Sequence, residues 1–179
     1  MKLKYAGFLT AAAIIFSAAN ARANLLFDPY IGATAGVGGV TTFVDGDTHS
    51  DMAQSYGALI GLDVPFIRIE GEYNYLNDKD ITAHIAMGNV YLKMPMLLVN
   101  PYIGAGVGAM FHGEIDHGPD IDTTVAYQGM LGLTFDIPVL PFKIDAEARA
   151  LYVPDAYSVA TKDADILHYD ARVKLRYIF

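Results

Sequence analysis

The chain has 179 residues, the size of one ordinary domain and tight for two. It is 53% hydrophobic and only 18% charged, with a mean hydropathy of +0.29, yet its formal net charge is −8. Zero cysteines exclude a disulfide framework, a thiolate metal site and a cysteine nucleophile; the acid excess argues against nucleic-acid binding and the low charge fraction against disorder.

Residues 1–23 read as a signal peptide. Lys2 and Lys4 are its basic start, Tyr5 to Ala19 its apolar stretch, and Ala21-Arg22-Ala23 its cleavage site, with Ala21 and Ala23 the small recognition residues. The apolar run is shorter than the ~20 residues a membrane-spanning helix needs. No Cys follows the site, so a bacterial lipid anchor has no attachment point. Removing 1–23 leaves 156 residues, with nine bases against 20 acids and a net charge of −11.

From there, segments of roughly ten residues alternate apolar and polar positions, the period of a strand. The first sets Ile31, Ala33, Ala35 and Val37 against Tyr30, Gly32, Thr34 and Gly36. The second sets Tyr56, Ala58, Ile60 and Leu62 against Gly57, Leu59, Gly61 and Asp63. The third sets Ile67, Ile69, Gly71, Tyr73 and Tyr75 against Arg68, Glu70, Glu72 and Asn74. The fourth sets Ala86, Gly88, Val90 and Leu92 against Met87, Asn89, Tyr91 and Lys93. The fifth sets Ile103, Ala105, Val107, Ala109 and Phe111 against Tyr102, Gly104, Gly106 and Gly108. It belongs to an 18-residue uncharged stretch, Met94 to Phe111, but Pro95, Pro101 and the glycines disfavour a helix. The sixth sets Tyr127, Gly129, Leu131, Leu133 and Phe135 against Gln128, Met130, Gly132, Thr134 and Asp136. The seventh sets Phe142, Ile144, Ala146, Ala148 and Ala150 against Lys143, Asp145, Glu147 and Arg149. The eighth sets Ala171, Val173, Leu175, Tyr177 and Phe179 against Asp170, Arg172, Lys174 and Arg176.

No apolar face carries a charge, so a one-residue slip would put every charge on the wrong side. Three features turn the apolar face toward lipid. Many of its positions are alanine or glycine, poor fillers of a soluble core. The polar face carries neighbouring charges of both signs, suited to pairing across a narrow lumen. The last residue, Phe179, is aromatic and in phase with the apolar face. The expected fold is all-β: an eight-stranded antiparallel up-and-down transmembrane β-barrel over residues 24–179. Sixteen strands would need about 160 residues before any turn. A barrel of eight is filled by its own side chains, which argues against a general diffusion porin.

Connections alternate short (63–65, 94–100, 137–141) and long (41–54, 76–82, 112–124, 153–166), the plan of an outer-membrane barrel with both termini periplasmic. Twelve acids fall in the long connections beside Lys79 and Lys162, so these carry −10 while strands and short turns stay near neutral. The inward charges Arg68, Glu70, Glu72, Lys143, Asp145, Glu147, Arg149, Asp170, Arg172, Lys174 and Arg176 form an expected structural ladder, because buried charge persists only when paired. Tyr73, Tyr75, Tyr127, Tyr152, Tyr177 and Phe179 read as interface girdle. The two halves also resemble each other. PYIGA recurs at 29–33 and 101–105, ALIGL at 58–62 answers GMLGL at 129–133, and IRIEGE at 67–72 answers FKIDAE at 142–147. Duplication of a four-strand unit and convergence on barrel constraints both account for this.

The paired PYIGA segments, IRIEGEYNY at 67–75 and the terminal LRYIF resemble the OmpA-like, opacity-type family of small outer-membrane β-barrels of the porin class. The resemblance covers the chain after residue 23. It implies export to the bacterial outer membrane and a surface-antigen, adhesion, host-contact or envelope-integrity role. It also implies that Val173, Leu175, Tyr177 and Phe179 match the signal read by the barrel-assembly machinery. The peptidoglycan-binding domain of two-domain members is missing here.

His49, Ser50 and Asp51 hold the residue types of a hydrolase triad, but neighbours in one loop rarely converge on that geometry. His112, Glu114, Asp116, His117, Asp120 and Asp122 match no metal-ligand frame, and Asp45-Gly46-Asp47 lacks the rest of a calcium loop. No catalytic, cofactor or metal residue is assigned. The expected partners are outer-membrane lipid and lipopolysaccharide, the assembly machinery, and an extracellular protein or host ligand met through 41–54, 112–124 and 153–166; nucleic acid is not among them. The first function is thus a structural or surface-interaction protein, not an enzyme. A narrow channel or small-solute transporter is second, a lipid-modifying enzyme third.

Overall fold

The computed structural model describes residues 27–44, 47–77, 81–115, 123–137, 140–159 and 162–179. The expected signal peptide, with Ala21 and Ala23, lies outside them. Among the described residues every element is a strand: β1 (Asp28–Val44), β2 (Asp47–Asp63), β3 (Ile67–Asn77), β4 (Ile81–Lys93), β5 (Val99–Ile115), β6 (Thr124–Asp136), β7 (Phe142–Val159) and β8 (Lys162–Ile178). Each pairs antiparallel with the next, and β8 returns to β1, with Ala33 opposite Leu175 and Val37 opposite Ala171. Closure leaves no edge strand, so every strand has a partner on both sides.

All eight phases read from the sequence are seen, β4 included. Arg68, Glu70, Glu72 and Asn74 on β3 are buried, while Ile67, Ile69 and Tyr73 between them are exposed; β6 alternates in the same way. In a soluble barrel the apolar set would be the buried one. Here it is outside, forming a belt that includes Ile31, Ile60, Val90, Ile103, Val107, Leu131 and Val173. Tyrosines close the belt toward the long connections. In register, Tyr56 faces Tyr75, Tyr75 faces His84, His84 faces Phe111, and Tyr127 faces Tyr152. Toward the short turns lie Phe66, Phe135, Phe142, Tyr177 and Phe179, with the rings of Phe142 and Tyr177 edge-to-face at 5.3 Å and those of Tyr177 and Phe179 likewise.

The strands run further than the alternation suggested. The expected loop 41–54 is largely ladder, since Thr41 pairs with Ser50 and Val44 with Asp47. Segment 153–166 likewise becomes the ends of β7 and β8, and 112–124 narrows because β5 reaches Ile115. Segment 76–82 shortens similarly, as β3 ends at Asn77 and β4 begins at Ile81. Two causes act together. Thr41, Thr42, Phe43 and Val44 favour extended backbone, and a closed ladder can continue into water wherever its hairpin partner continues too. In these extensions the apolar–polar alternation that marks a strand fades, as in Thr41-Thr42-Phe43-Val44. Pairing shifts beside His84, and again between Val153 and Tyr157 around Pro154, which has no N–H to give the ladder. Of the twelve acids assigned to loops, Asp47, Asp51, Glu114, Asp155, Asp163 and Asp165 therefore sit on strands. The short connections fall at 64–66, 94–98 and 137–141.

Candidate functional site

The residues with chemistry converge on the lumen. They stack in layers because inward positions of adjacent strands meet at successive heights. At the short-turn mouth, Asp63 contacts Lys93 and is met by Lys143 Nζ at 3.3 Å and Arg176 Nη1 at 3.1 Å; Lys143 also reaches Asp136 at 3.4 Å. A polar cavity of about 190 Å³ opens here, lined among others by Asp63, Lys93, Asn100, Asp136 and Lys143. Above it Arg176 forks onto Asp145, Nε at 2.7 Å and Nη2 at 2.9 Å, while Thr134 donates to the same carboxylate at 2.6 Å. Arg68 gives Nη1 to Asp145 at 3.1 Å; its Nε and Nη2 make no hydrogen bond, and the guanidinium lies over the faces of Tyr91 (3.9 Å) and Tyr102 (4.5 Å). A cation over an aromatic face offsets part of that unmet donor capacity.

In the next layer Glu70 accepts from Tyr30 (2.7 Å), Tyr91 (2.8 Å) and Lys174 (2.8 Å), and Lys174 also reaches Glu147 at 3.3 Å. Arg172 then bridges Glu72 and Glu147, with Nε to Glu147 at 2.6 Å and Nη2 to Glu72 at 3.2 Å. Asn89 donates to Glu72 at 2.9 Å and accepts from Gln128 at 2.7 Å. The last charged layer is Asp170, gripped by Arg149 through Nε (3.0 Å) and Nη2 (2.6 Å), with Ser55 donating at 2.8 Å and His168 Nε2 at 3.2 Å. Nine residues of the expected ladder thus lie in one connected network, with Arg149 and Asp170 paired to each other beside it; ten of the eleven are buried and Lys143 is partly exposed at the mouth. Sequence reasoning missed Tyr30, Tyr91, Tyr102 and Asn89, which tie the carboxylates together; their inward phase beside Glu70 and Glu72 was the available signal.

Narrowness comes from glycine. Tyr30 lies over Gly61, Tyr91 over Gly104 and Tyr102 over Gly132, each pair directly opposed across a strand boundary. A Cβ on any of these glycines would come within 2.5 Å of the tyrosine ring or hydroxyl. Tyr30/Gly61 and Tyr102/Gly132 fall at equivalent places in the two halves of the sequence repeat, so the repeated motifs build the same contact twice.

Toward the long connections the lumen changes character. The expectation was a polar interior throughout. Instead Leu76, Ala83, Ile85, Met87, Met110, Ala126, Leu151, Val153 and Ile166 form one buried apolar cluster across the barrel. These positions continue the inward phase of the charged residues, from Asn74 to Leu76 and from Arg149 to Leu151 and Val153. Leu76, Val153 and Ile166 escaped notice because 76–82 and 153–166 were assigned to loops. The lumen is therefore a salt-bridged shaft closed by an oily cap.

The girdle residues Tyr73, Tyr75, Tyr127, Tyr152, Tyr177 and Phe179 all lie on the outer face, Tyr73 donating to or accepting from His84 Nδ1 at 2.6 Å. Val173, Leu175, Tyr177 and Phe179 line the outer face of β8 and its end. His49, Ser50 and Asp51 lie on β2, with side chains outside those described, and His112 and Glu114 likewise on β5. Asp45, Gly46, Asp116, His117, Asp120 and Asp122 lie outside the described residues.

A closed barrel with lipid-facing alternation and a filled core is the architecture of a small membrane-spanning barrel. The family described as outer membrane protein beta-barrel domain matches residues 8–179, and the chain belongs to it. It is a protein of the bacterial outer membrane. Solved structures share the fold. Neisserial surface protein A (NspA) is 19% identical, with a TM-score of 0.64 over 84% of this chain and 97% of that one. The N-terminal barrel domain of Pseudomonas aeruginosa OprF is 12% identical, with a TM-score of 0.52 over 80% and 97%. The outer membrane enzyme PagL is 15% identical, with a TM-score of 0.50 over 79% and 97%. No curated protein sequence matches the chain.

Proposed function

We propose that the protein is a non-conducting, non-enzymatic outer-membrane barrel whose working surface is its long-connection end, where it meets an extracellular protein or host ligand and lipopolysaccharide. One observation carries this reading: the lumen is filled twice over, by the ionic network and by the apolar cap. An ion entering from the short-turn mouth would have to displace Arg176 from Asp145 and then pass the buried apolar cluster that includes Leu76, Ile85, Met110, Leu151 and Ile166. Breaking a buried pair leaves a charge uncompensated, at a cost of about 3–5 kcal/mol. The shaft accordingly acts as a rigid scaffold. Residues 1–23 direct export, both termini face the periplasm, and the outer face of β8 ending in Phe179 is the segment the assembly machinery reads. Recording from planar bilayers tests the reading. The refolded protein is expected to give a silent membrane, and steps of defined conductance would establish the channel instead.

A further inference from the structure

The short turns stand on the barrel end where water would be the expected neighbour, yet they are apolar. Between β4 and β5 the turn is Met94-Pro95-Met96-Leu97-Leu98, without a polar side chain, and Leu97 is 91% exposed. Between β6 and β7, Ile137 and Leu140 are also exposed. These residues are not loose. Asn100 Oδ1 accepts from the Met96 backbone N–H at 2.5 Å, Asn100 Nδ2 donates to Asp136 at 2.7 Å, and the Asp136 N–H donates to the Leu98 carbonyl at 3.1 Å. The β4–β5 turn is thereby tied to the end of β6, with these polar ties at the mouth of the lumen and Met94, Leu97, Ile137 and Leu140 exposed outside it.

The outward direction is continuous with the lipid-facing belt. Met94 follows Val90 and Leu92 in the outward phase of β4, and Leu97 precedes Val99 and Ile103 in that of β5. Ile137 follows Leu133 and Phe135 on β6, and Leu140 precedes Phe142 and Ile144 on β7. Side chains of the turns therefore extend the same surface that hydrocarbon already covers. Exposed apolar area of this extent is unfavourable in water and favourable at the acyl boundary of a bilayer.

We infer that the β4–β5 and β6–β7 turns are a membrane-embedded collar, with Leu97 and its neighbours held in the acyl boundary of the leaflet on the short-turn side. The inference rests on the barrel's placement in the bilayer. The sequence contains no tryptophan, so a single introduced indole reports without background. Leu97→Trp and, as the reference in the middle of the belt, Leu131→Trp would each be refolded into phosphatidylcholine vesicles, with and without bromine on the acyl chains. The indole at 97 is expected to emit to the blue of the urea-unfolded chain and to lose most of its emission in the brominated vesicles. Acrylamide in the water should quench it several-fold less than in the unfolded chain. If the indole at 131 is quenched by bromolipid while that at 97 answers only to acrylamide, the collar stands in water and the inference fails. If neither answers to bromolipid, the barrel itself is not in the bilayer and both readings fall. Met94→Trp, on the same turn, gives the same readout should Leu97→Trp not refold.

Discussion

Each inward tyrosine of this barrel has a job at both ends. Its ring fills the space a cross-strand glycine leaves, and its hydroxyl caps a buried carboxylate, as Tyr102 does for Glu147 at 2.8 Å. Gly132 is thus constrained by packing alone. A Cβ there would stand 2.4 Å from the Tyr102 hydroxyl and 2.7 Å from the Ala146 carbonyl, whereas at Gly129, three residues earlier on the outward face, it would meet nothing within 4 Å. Gly132→Ala should destabilise the barrel by about 1–3 kcal/mol, the usual range for overpacking, and Gly129→Ala should be nearly neutral, both read by urea unfolding in vesicles. The sequence shows two glycines of the same strand but not the tyrosine that packs on one of them. It does show that one shares a face with Thr134 and the other with Leu131, which is the distinction that matters.

At the scale of a strand, alternation carries the fold because lipid punishes error on one face only. Leu131 is 64% exposed in the middle of β6, flanked outward by Gly129 and Leu133. Leu131→Arg should cost about 2–4 kcal/mol, as a cation does at the bilayer midplane, measured by the same unfolding assay. Strand existence, phase and order were legible for this reason: the penalty for charge on the outer face is written into all eight segments. Strand length was not. Beyond the tyrosine girdle, Thr41–Val44 and its ladder partner Asp47–Ser50 lose the apolar–polar alternation, so composition there no longer distinguishes a ladder from a loop. Proline 154 sharpened that misreading, since it interrupts β7 pairing without ending the strand.

For the whole molecule, closure makes each connection dispensable for the fold. β5 is held by β4 along its length and β6 by β7, so the segment between Ile115 and Thr124 need not hold them together. Deleting residues 116–122 should leave the heat-modifiable gel shift of the folded barrel unchanged while abolishing binding of the extracellular ligand proposed above. A lost gel shift would place that segment in the fold rather than in recognition. By itself, the sequence determined the number of strands, their facing and the membrane they belong to, because each rests on local periodicity against a uniform solvent. It also set near-equal numbers of acids and bases on one face of the strands, charges that persist in a buried setting only when paired. Only the tertiary structure decided which carboxylate each cation takes, as with Arg176 on Asp145 and Arg172 across Glu72 and Glu147. Those partners lie 31, 100 and 25 residues apart in the chain and meet only when the barrel closes. The apolar cap over the shaft was decided the same way. Leu76, Ile85, Met110, Leu151 and Ile166 come from five strands, and no one of them contains enough of the cluster to announce it.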